Sequence, residues 1–179
     1  MIRLQSDAEL EKVFPLMAQL REHLKNADDF VHRVRLGEAS FGYMLFGLEV
    51  SGEVISLCGI QPMDLHCLSS RRPTSLPGDA APVDEGRCLS VRDLVTDCAR
   101  RSRGYGGQLL AEVEEWSGRN GYGEITLSSG ARRKDAHAFL TDRMAFSLKS
   151  HTFRKSIDRS QSRLCGNGEA VRTHGNREC

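Results

Sequence analysis

The sequence has no long apolar run and no excess of charge of one sign. None of its apolar stretches approaches the roughly 20 residues that span a bilayer, and its start, MIRLQSDAEL, lacks the apolar core of a signal peptide. The 25 lysines and arginines nearly balance the 24 aspartates and glutamates, which leaves a net charge of +1. We therefore predict a cytoplasmic protein that binds no membrane and no nucleic acid, unless a local patch supplies the charge.

Paired cysteine motifs are also absent. No two cysteines have C-x-x-C spacing, and none stands at zinc-ligand spacing from a histidine. A domain of 179 residues, 39% of them hydrophobic, buries enough surface to fold without disulfides or a metal. We interpret all six cysteines as reduced thiols and predict no metal site; they are Cys58, Cys67, Cys88, Cys98, Cys165 and Cys179.

The first sixty residues predict two helices and a hairpin. Ser6 and Glu9 form a capping-box pattern, and apolar residues then recur at intervals of three and four as far as Leu24, which predicts a helix of about five turns. A weaker helical pattern surrounds Phe30 and Val34. Two β-rich runs joined through Ser51-Gly52 predict a hairpin over residues 43–60.

The rest of the chain alternates strands and helices. Residues 66–86 are rich in proline and lack periodicity, which predicts a loop insertion, and the polar residues 158–179 predict a disordered tail. The expected elements are a strand at 89–96, a helix at 108–119, a strand at 124–128, a helix at 135–143 and a mostly extended segment at 146–157. We predict one α/β (α+β) domain over residues 1–157, with a mixed central sheet flanked by helices.

One glycine-rich segment, residues 101–107, has the character of an anion site. Its glycines let backbone amides converge where a strand leads into a helix, and the helix N-terminus and nearby arginines add positive charge. This chemistry suits a phosphate or pyrophosphate; a flexible turn with solvated arginines is the alternative. A P-loop requires a lysine after Gly107, and a dinucleotide fingerprint requires glycine at Leu109, so both are excluded.

The same segment resembles a known family. The pattern Arg101-x-x-Gly104-x-Gly106 within LVTDCARRSRGYGGQLLAEVEEW resembles the acyl-CoA pyrophosphate loop of the GNAT acetyltransferase superfamily, and ITLSSGARRKDAHAFL resembles the strand and helix that follow it. The run Arg-x-Asp-Ala-His-x-Phe looks most like small bacterial members that act on aminoalkylphosphonates. The resemblance implies a GNAT-like fold with splayed strands, and an N-acetyltransferase that moves an acetyl group from acetyl-CoA to a primary amine of a small molecule.

The resemblance also implies which residues bind the co-substrate. The backbone of Leu94, Val95 and Thr96 would pair with the pantetheine arm, and Arg133 stands where many relatives place an asparagine that touches CoA. Leu140 departs from the pattern, because the family usually has a tyrosine there that protonates the departing thiolate. Met144-Ala145 also departs from the usual Gly-aromatic pair. The pyrophosphate would be held by the amides of Arg101, Ser102, Arg103, Gly104, Tyr105, Gly106 and Gly107.

Acetylation requires a proton acceptor, because a lysine-like amine has a pKa of about 10.4 in water. We favour Asp93, on the strand beside the expected thioester, as the general base. The alternative is a surface carboxylate paired with Arg92 or Arg103. His137 and His151 are weaker candidates, since a histidine there is more often packed or solvated.

Two other functions compete with the enzyme. Leu140 favours a catalytically weak acyl-CoA-binding or regulatory module, and Arg100, Arg101 and Arg103 fit a polyanion binder. The expected partner is the small-molecule amine. The sequence does not reveal the oligomeric state, so a homodimer is left open.

Overall fold

The computed structural model describes residues 1–64 and 87–149. The predicted loop at 66–86 and the predicted tail at 158–179 lie outside the described residues. Residues 1–146 belong to one structural unit, and residues 147–149 belong to a second.

The helices and strands follow the predicted order. The strands are β1 (Ile2–Leu4), β2 (Met44–Val50), β3 (Glu53–Asp64), β4 (Arg87–Thr96) and β5 (Glu124–Leu127). The helices are α1 (Asp7–Ala18), α2 (Ala27–Phe41), α3 (Tyr105–Arg119) and α4 (Lys134–Ala138). A 3-10 turn covers Cys98–Arg100, and a π turn, Phe139–Arg143, continues α4. No helix of these two ranges has both the length and the apolar character that crossing a membrane requires.

The five strands form one sheet in the order β1-β2-β3-β4-β5. Each adjacent pair among β1 to β4 is antiparallel, and β4 pairs with β5 in parallel. Alternate residues of β2 and β3 enter two apolar clusters: Leu45 and Leu57 pack with α1 and α2, whereas Phe46 and Ile60 pack with α3. Helices therefore flank a mixed sheet, as predicted.

Helix α1 begins as predicted and ends earlier. Ser6 Oγ accepts from the Glu9 amide at 3.3 Å, and Glu9 Oε2 accepts from the Ser6 amide at 2.8 Å, which completes the capping box. The helix has 12 residues, so the expectation of about five turns is wrong. The apolar spacing gave the wrong helix end because spacing indicates burial and not helical structure. Leu20 and Leu24 lie in the connection after the helix, and they pack on the same apolar cluster as α1.

Helix α3 begins at Tyr105, three residues before the predicted start at 108. Its N-cap is Gly104, whose φ of +87° is in the left-handed region that side chains disfavour. Tyr105, Gly106 and Gly107 therefore form the first turn of the helix and not a loop. Their amides have no acceptor within the helix, and no side chain caps them.

The turn after α4 accounts for the departure at Met144-Ala145. A π turn contains one more residue than an α-helical turn, and Ala145 follows it with φ +55°. The Phe146 amide donates to the Leu140 carbonyl at 2.9 Å, a helix-ending bond. In this chain Ala145 has the positive φ, and the aromatic residue Phe146 follows it. Residues 146–149 form no strand, and residues 150–157 lie outside the described residues.

Candidate active site

Strands β4 and β5 separate after a short stretch of pairing. Cys88 to Val91 pair with Glu124 to Leu127, and β4 then continues to Thr96 with no strand of the described residues on that edge. A cleft of about 420 Å³ opens there, which we call the cofactor cleft; Leu94, Ser129, Arg133 and Leu140 are among its lining residues. Val95 and Thr96 extend the free edge beyond Leu94. The splayed strands thus leave backbone available for an extended ligand.

The predicted anion loop lies at the far end of this free edge. Arg101 Nε donates to the Thr96 carbonyl at 3.1 Å, which ties the loop to the end of β4. Ser102 has φ +60°, and Arg101, Ser102 and Arg103 are exposed. The unpaired first-turn amides of α3 and the helix dipole give this end of the strand edge a positive potential. Arg100 lies elsewhere, because it pairs with Glu53 at 2.8 Å.

Asp93 lies between the cofactor cleft and a second pocket. It is buried, with 8% of its surface exposed, and so is not the surface carboxylate that was the alternative interpretation. Its Oδ1 accepts from Arg21 Nε at 2.7 Å and its Oδ2 from the Tyr43 hydroxyl at 2.9 Å. Among residues 1–64 and 87–149, each oxygen thus accepts from one side-chain donor and has a second lone-pair direction without a side-chain partner.

Arg21 also fixes the backbone beside Asp93. The register between β3 and β4 shifts where Gly59 faces Asp93 and Ile60 faces Val91, which makes Arg92 the extra residue of a β-bulge. Arg21 Nη2 donates to the Arg92 carbonyl at 3.1 Å. One guanidinium therefore holds both the bulge and the carboxylate next to it.

Two buried groups beside Asp93 keep their protons. Burial first, and then the negative charge of Asp93, raise the pKa of Tyr43 well above its usual value. The phenol therefore remains a hydrogen-bond donor to Asp93. The same two causes raise the pKa of the Cys58 thiol to about 12. Cys58, Cys88 and Cys98 are unpaired thiols.

The second pocket, which we call the acceptor pocket, has a volume of about 230 Å³. Its apolar wall comes mainly from α1, α2 and their connection. Arg21 and Asp93 line both this pocket and the cofactor cleft. Its polar lining consists of Arg21, His23, Arg33, Tyr43, Gln61 and Asp93, and its apolar lining includes Met17, Leu24, Phe30 and Val34.

The sequence pointed to Asp93 but not to the residues that hold it. Gly59 carried the available signal, because a glycine inside a strand pattern indicates a bulge or a close approach. A Cβ at Gly59 would overlap the Tyr43 hydroxyl and lie 2.9 Å from Asp93 Oδ2. Nothing in the sequence indicated that Arg21 contacts Asp93, since the helical pattern assigned Arg21 to the first helix. His137 does not line either cleft, and His151 lies outside the described residues.

An open strand edge that leads to a helix N-terminus with uncapped amides suits an extended ligand that carries phosphates. The model of the acetyltransferase (GNAT) family matches residues 9–146. The "Uncharacterized N-acetyltransferase YhdJ" of Bacillus subtilis is 34% identical over 157 residues, which is 88% of this chain and 98% of that protein. The chain therefore belongs to the GNAT acetyltransferase family.

Solved structures agree on the fold. A GNAT family acetyltransferase from Staphylococcus aureus has a TM-score of 0.60 at 23% identity, covering 87% of this chain and 96% of that one. The aminoglycoside N-acetyltransferase AAC(6')-Iy, in complex with CoA, has a TM-score of 0.63 at 15% identity, covering 86% and 91%. The resemblance to the superfamily and the predicted fold class are both confirmed.

The residues present fit acetyl-CoA, which is the co-substrate of the family. The free edge at Leu94 to Thr96 suits the amides of a pantetheine arm, and the bare amides at the start of α3 suit a pyrophosphate. Ser129 Oγ is buried beside the cleft and has no hydrogen-bond partner among the described residues, so a ligand can supply one. No cluster of three or more metal-ligating side chains occurs in residues 1–64 and 87–149.

Proposed function

We propose that this acetyltransferase transfers the acetyl group of acetyl-CoA to a primary amine of a small molecule, with Asp93 as the proton acceptor. One observation carries the proposal: the acceptor pocket and the cofactor cleft meet at Asp93. An amine held in one pocket and a thioester held in the other would approach each other beside this carboxylate. The acceptor pocket is smaller than most drug-sized ligand sites, which favours a small acceptor.

The co-substrate supplies an activated acetyl thioester, and the chain's own residues bind and orient both reactants. In this proposal the amides at residues 101–107 hold the pyrophosphate, and the β4 edge at Leu94, Val95 and Thr96 holds the arm, with Arg133 at the cleft wall. Asp93 accepts the ammonium proton, directly or through a water. Arg21 and Tyr43 orient the carboxylate, because each fixes one of its oxygens.

The charge of the acceptor pocket favours an amine that also carries an anionic group. Among its described lining residues, Arg21, His23 and Arg33 face a single carboxylate. The negative charge of Asp93 already offsets the positive charge of Arg21. Among the described residues Arg33 donates only through Nε, at 3.0 Å to Asp29 Oδ1, and neither of its terminal nitrogens has a partner there. Aminoalkylphosphonates belong to this chemical class, whereas polyamines would be repelled.

An acceptor panel tests this preference. We expect kcat/KM, measured by thiol release, to be at least about tenfold higher for an aminoalkylphosphonate than for an uncharged alkylamine of equal length. Arg33→Ala is expected to remove most of this difference, and Arg119→Ala, an exposed arginine on α3, serves as the control. A polyamine as the best acceptor, or an unchanged preference in Arg33→Ala, would contradict the charge argument.

Binding of CoA tests the loop separately from catalysis. Saturating CoA is expected to raise the melting temperature of the wild type by about 5–10 °C, since a ligand at 100 times its Kd contributes about 2.7 kcal/mol. Gly104→Asp combined with Gly106→Asp is expected to abolish the rise. Aspartate strains the backbone at Gly104, and a Cβ at Gly106 would lie 3.1 Å from Thr96 Oγ1. The added charges also repel phosphate.

Gly118→Asp, at the exposed far end of α3, is the control for these substitutions and should keep the shift. A wild type that shows no rise in melting temperature at saturating CoA would contradict the assignment of the loop.

The alternative function, an acyl-CoA-binding module with weak catalysis, is favoured by Leu140, whose apolar side chain lines the cofactor cleft. CoA binding without thiol release from any amine would support that alternative.

A further inference from the structure

Ser129 has an unsatisfied hydroxyl. Of the side-chain nitrogen and oxygen atoms buried within residues 1–64 and 87–149, its Oγ is the one with no hydrogen-bond partner. Native structures rarely leave such a group unpaired, and the usual explanation is a ligand, a water or a catalytic role. Ser129 lines the cofactor cleft two residues after the end of β5. The hydroxyl is therefore positioned for a ligand of that cleft.

Part of the cleft wall is apolar, at the position where the family usually has a tyrosine, although Arg21, Arg92 and Arg133 line other parts of the cleft. Ala136, Phe139 and Leu140 line the same cleft and have no polar side-chain atom. Asp93 is an anion held by two donors, so it would repel a second negative charge. A serine hydroxyl turns about one side-chain bond among three staggered positions, which lets it follow a ligand atom.

We propose that the Ser129 hydroxyl donates a hydrogen bond to the sulfur of CoA and stabilises the departing thiolate. The proposal rests on the proposed acetyl transfer. In that step the amine nitrogen bonds to the acetyl carbon, the C–S bond breaks, and its electron pair goes to sulfur. The ammonium form first gives one proton to Asp93, which passes it to solvent. The nitrogen then loses its second proton to Asp93 as the C–N bond forms, and the thiolate later takes a proton from solvent. Ser129 keeps its own proton, because a hydroxyl is a far weaker acid than a thiol.

This role predicts a measurable property of bound CoA. A hydrogen bond to the charged form lowers the pKa of an acid, so the thiol of CoA should ionise more readily in the wild type than in Ser129→Ala. Thiolate absorbance in the ultraviolet, followed through a pH titration of the complex, reports this ionisation. No acceptor is needed, so the result does not depend on whether the amine assignment is right.

We expect Ser129→Ala to raise the pKa of the bound thiol by about one unit and to lower kcat about tenfold, with KM for the amine unchanged. Ser129→Thr keeps a hydroxyl and should retain the wild-type ionisation. Ser40→Ala removes an exposed hydroxyl on α2, outside the two clefts, and should change neither quantity.

Two results would overturn the proposal. One is a thiol that ionises equally in wild type and in Ser129→Ala when both chains are saturated with CoA. The other is an equal loss of affinity for CoA and for an analogue that lacks the sulfur, which would place the hydroxyl on the pantetheine arm. A failure of acetyl transfer with an intact ionisation difference would instead count against the proposed function alone.

Discussion

Asp93→Asn is expected to lower kcat by about 10²- to 10⁴-fold, the range that a positioned general base contributes. Without the carboxylate, only amine that is already neutral in solution can react. Because a lysine-like amine has a pKa of about 10.4, the residual rate should rise about tenfold per pH unit through the neutral range. The wild type should depend on pH less steeply in that range.

The substitution also disturbs the contacts of residue 93. Arg21 and Tyr43 each donate a hydrogen bond to a different oxygen of Asp93. In asparagine one of these two positions carries an NH2 group, which cannot accept, so one of the two donors would lose its acceptor. A loss of stability must therefore be separated from a loss of chemistry. The CoA-induced rise in melting temperature provides this control, because CoA is proposed to bind through residues 101–107 and the β4 edge and not through the side chain of residue 93.

Asp7→Asn is the matched control for the loss of a paired aspartate. Asp7 pairs with Arg35 at 2.6 Å on the exposed start of α1, outside both clefts. We expect wild-type kcat from this variant. If Asp93→Asn bound CoA normally and kept wild-type kcat with the wild-type pH profile, Asp93 would not be the base, and the proton would have to leave by another route.

Gly59→Ala is expected to lower the free energy of unfolding by about 2–4 kcal/mol and to remove most activity. The new Cβ would lie 2.6 Å from Tyr43 Cζ and overlap its hydroxyl. Tyr43 would have to move, and its hydrogen bond to Asp93 would break. Chemical denaturation measures the first effect, and thiol release with a responsive amine measures the second.

Gly118→Ala makes the same substitution where a Cβ meets nothing within 4 Å. This exposed helical site should gain about 0.5–1 kcal/mol, because alanine favours a helix over glycine. Tyr43→Phe in the Gly59→Ala chain should recover part of the lost stability by removing the overlapping hydroxyl. Equal stability of wild type and Gly59→Ala would show that the strand accommodates the methyl group and would refute the proposed clash.

The fold could be predicted mostly from local patterns. The capping box at Ser6, the hairpin turn at Ser51-Gly52 and the β-rich runs on either side of it act over a few residues, so sequence alone reveals them. Helix ends were less reliable. Leu20 and Leu24 continue the apolar spacing of α1 because the connection after it is also buried, and spacing does not distinguish a buried turn from a buried helix.

Parts of the candidate site also follow from local sequence, whereas other parts depend on contacts between distant residues. The anion site at 101–107 stays a prediction, and it could be made because its glycines, its arginines and the helix that follows are consecutive in sequence. Asp93 was chosen from its strand, but its donors could not be predicted, since Arg21 and Tyr43 come from other parts of the chain. The orphaned hydroxyl of Ser129 is a property of packing, and no short motif encodes it.

The contacts of Asp93 also bear on how this chain becomes active as it folds. Arg21 and Tyr43 are 72 and 50 positions away from Asp93 in sequence. Contacts of such separation form only after the entropy of closing long loops has been overcome, which slows them relative to local ones. A chain that has formed only its first hairpin and its isolated helices still has an unrestrained carboxylate. Assembly of the Asp93 cluster therefore coincides with docking of the first helices on the sheet, and partially folded chains cannot hold the proposed base in place.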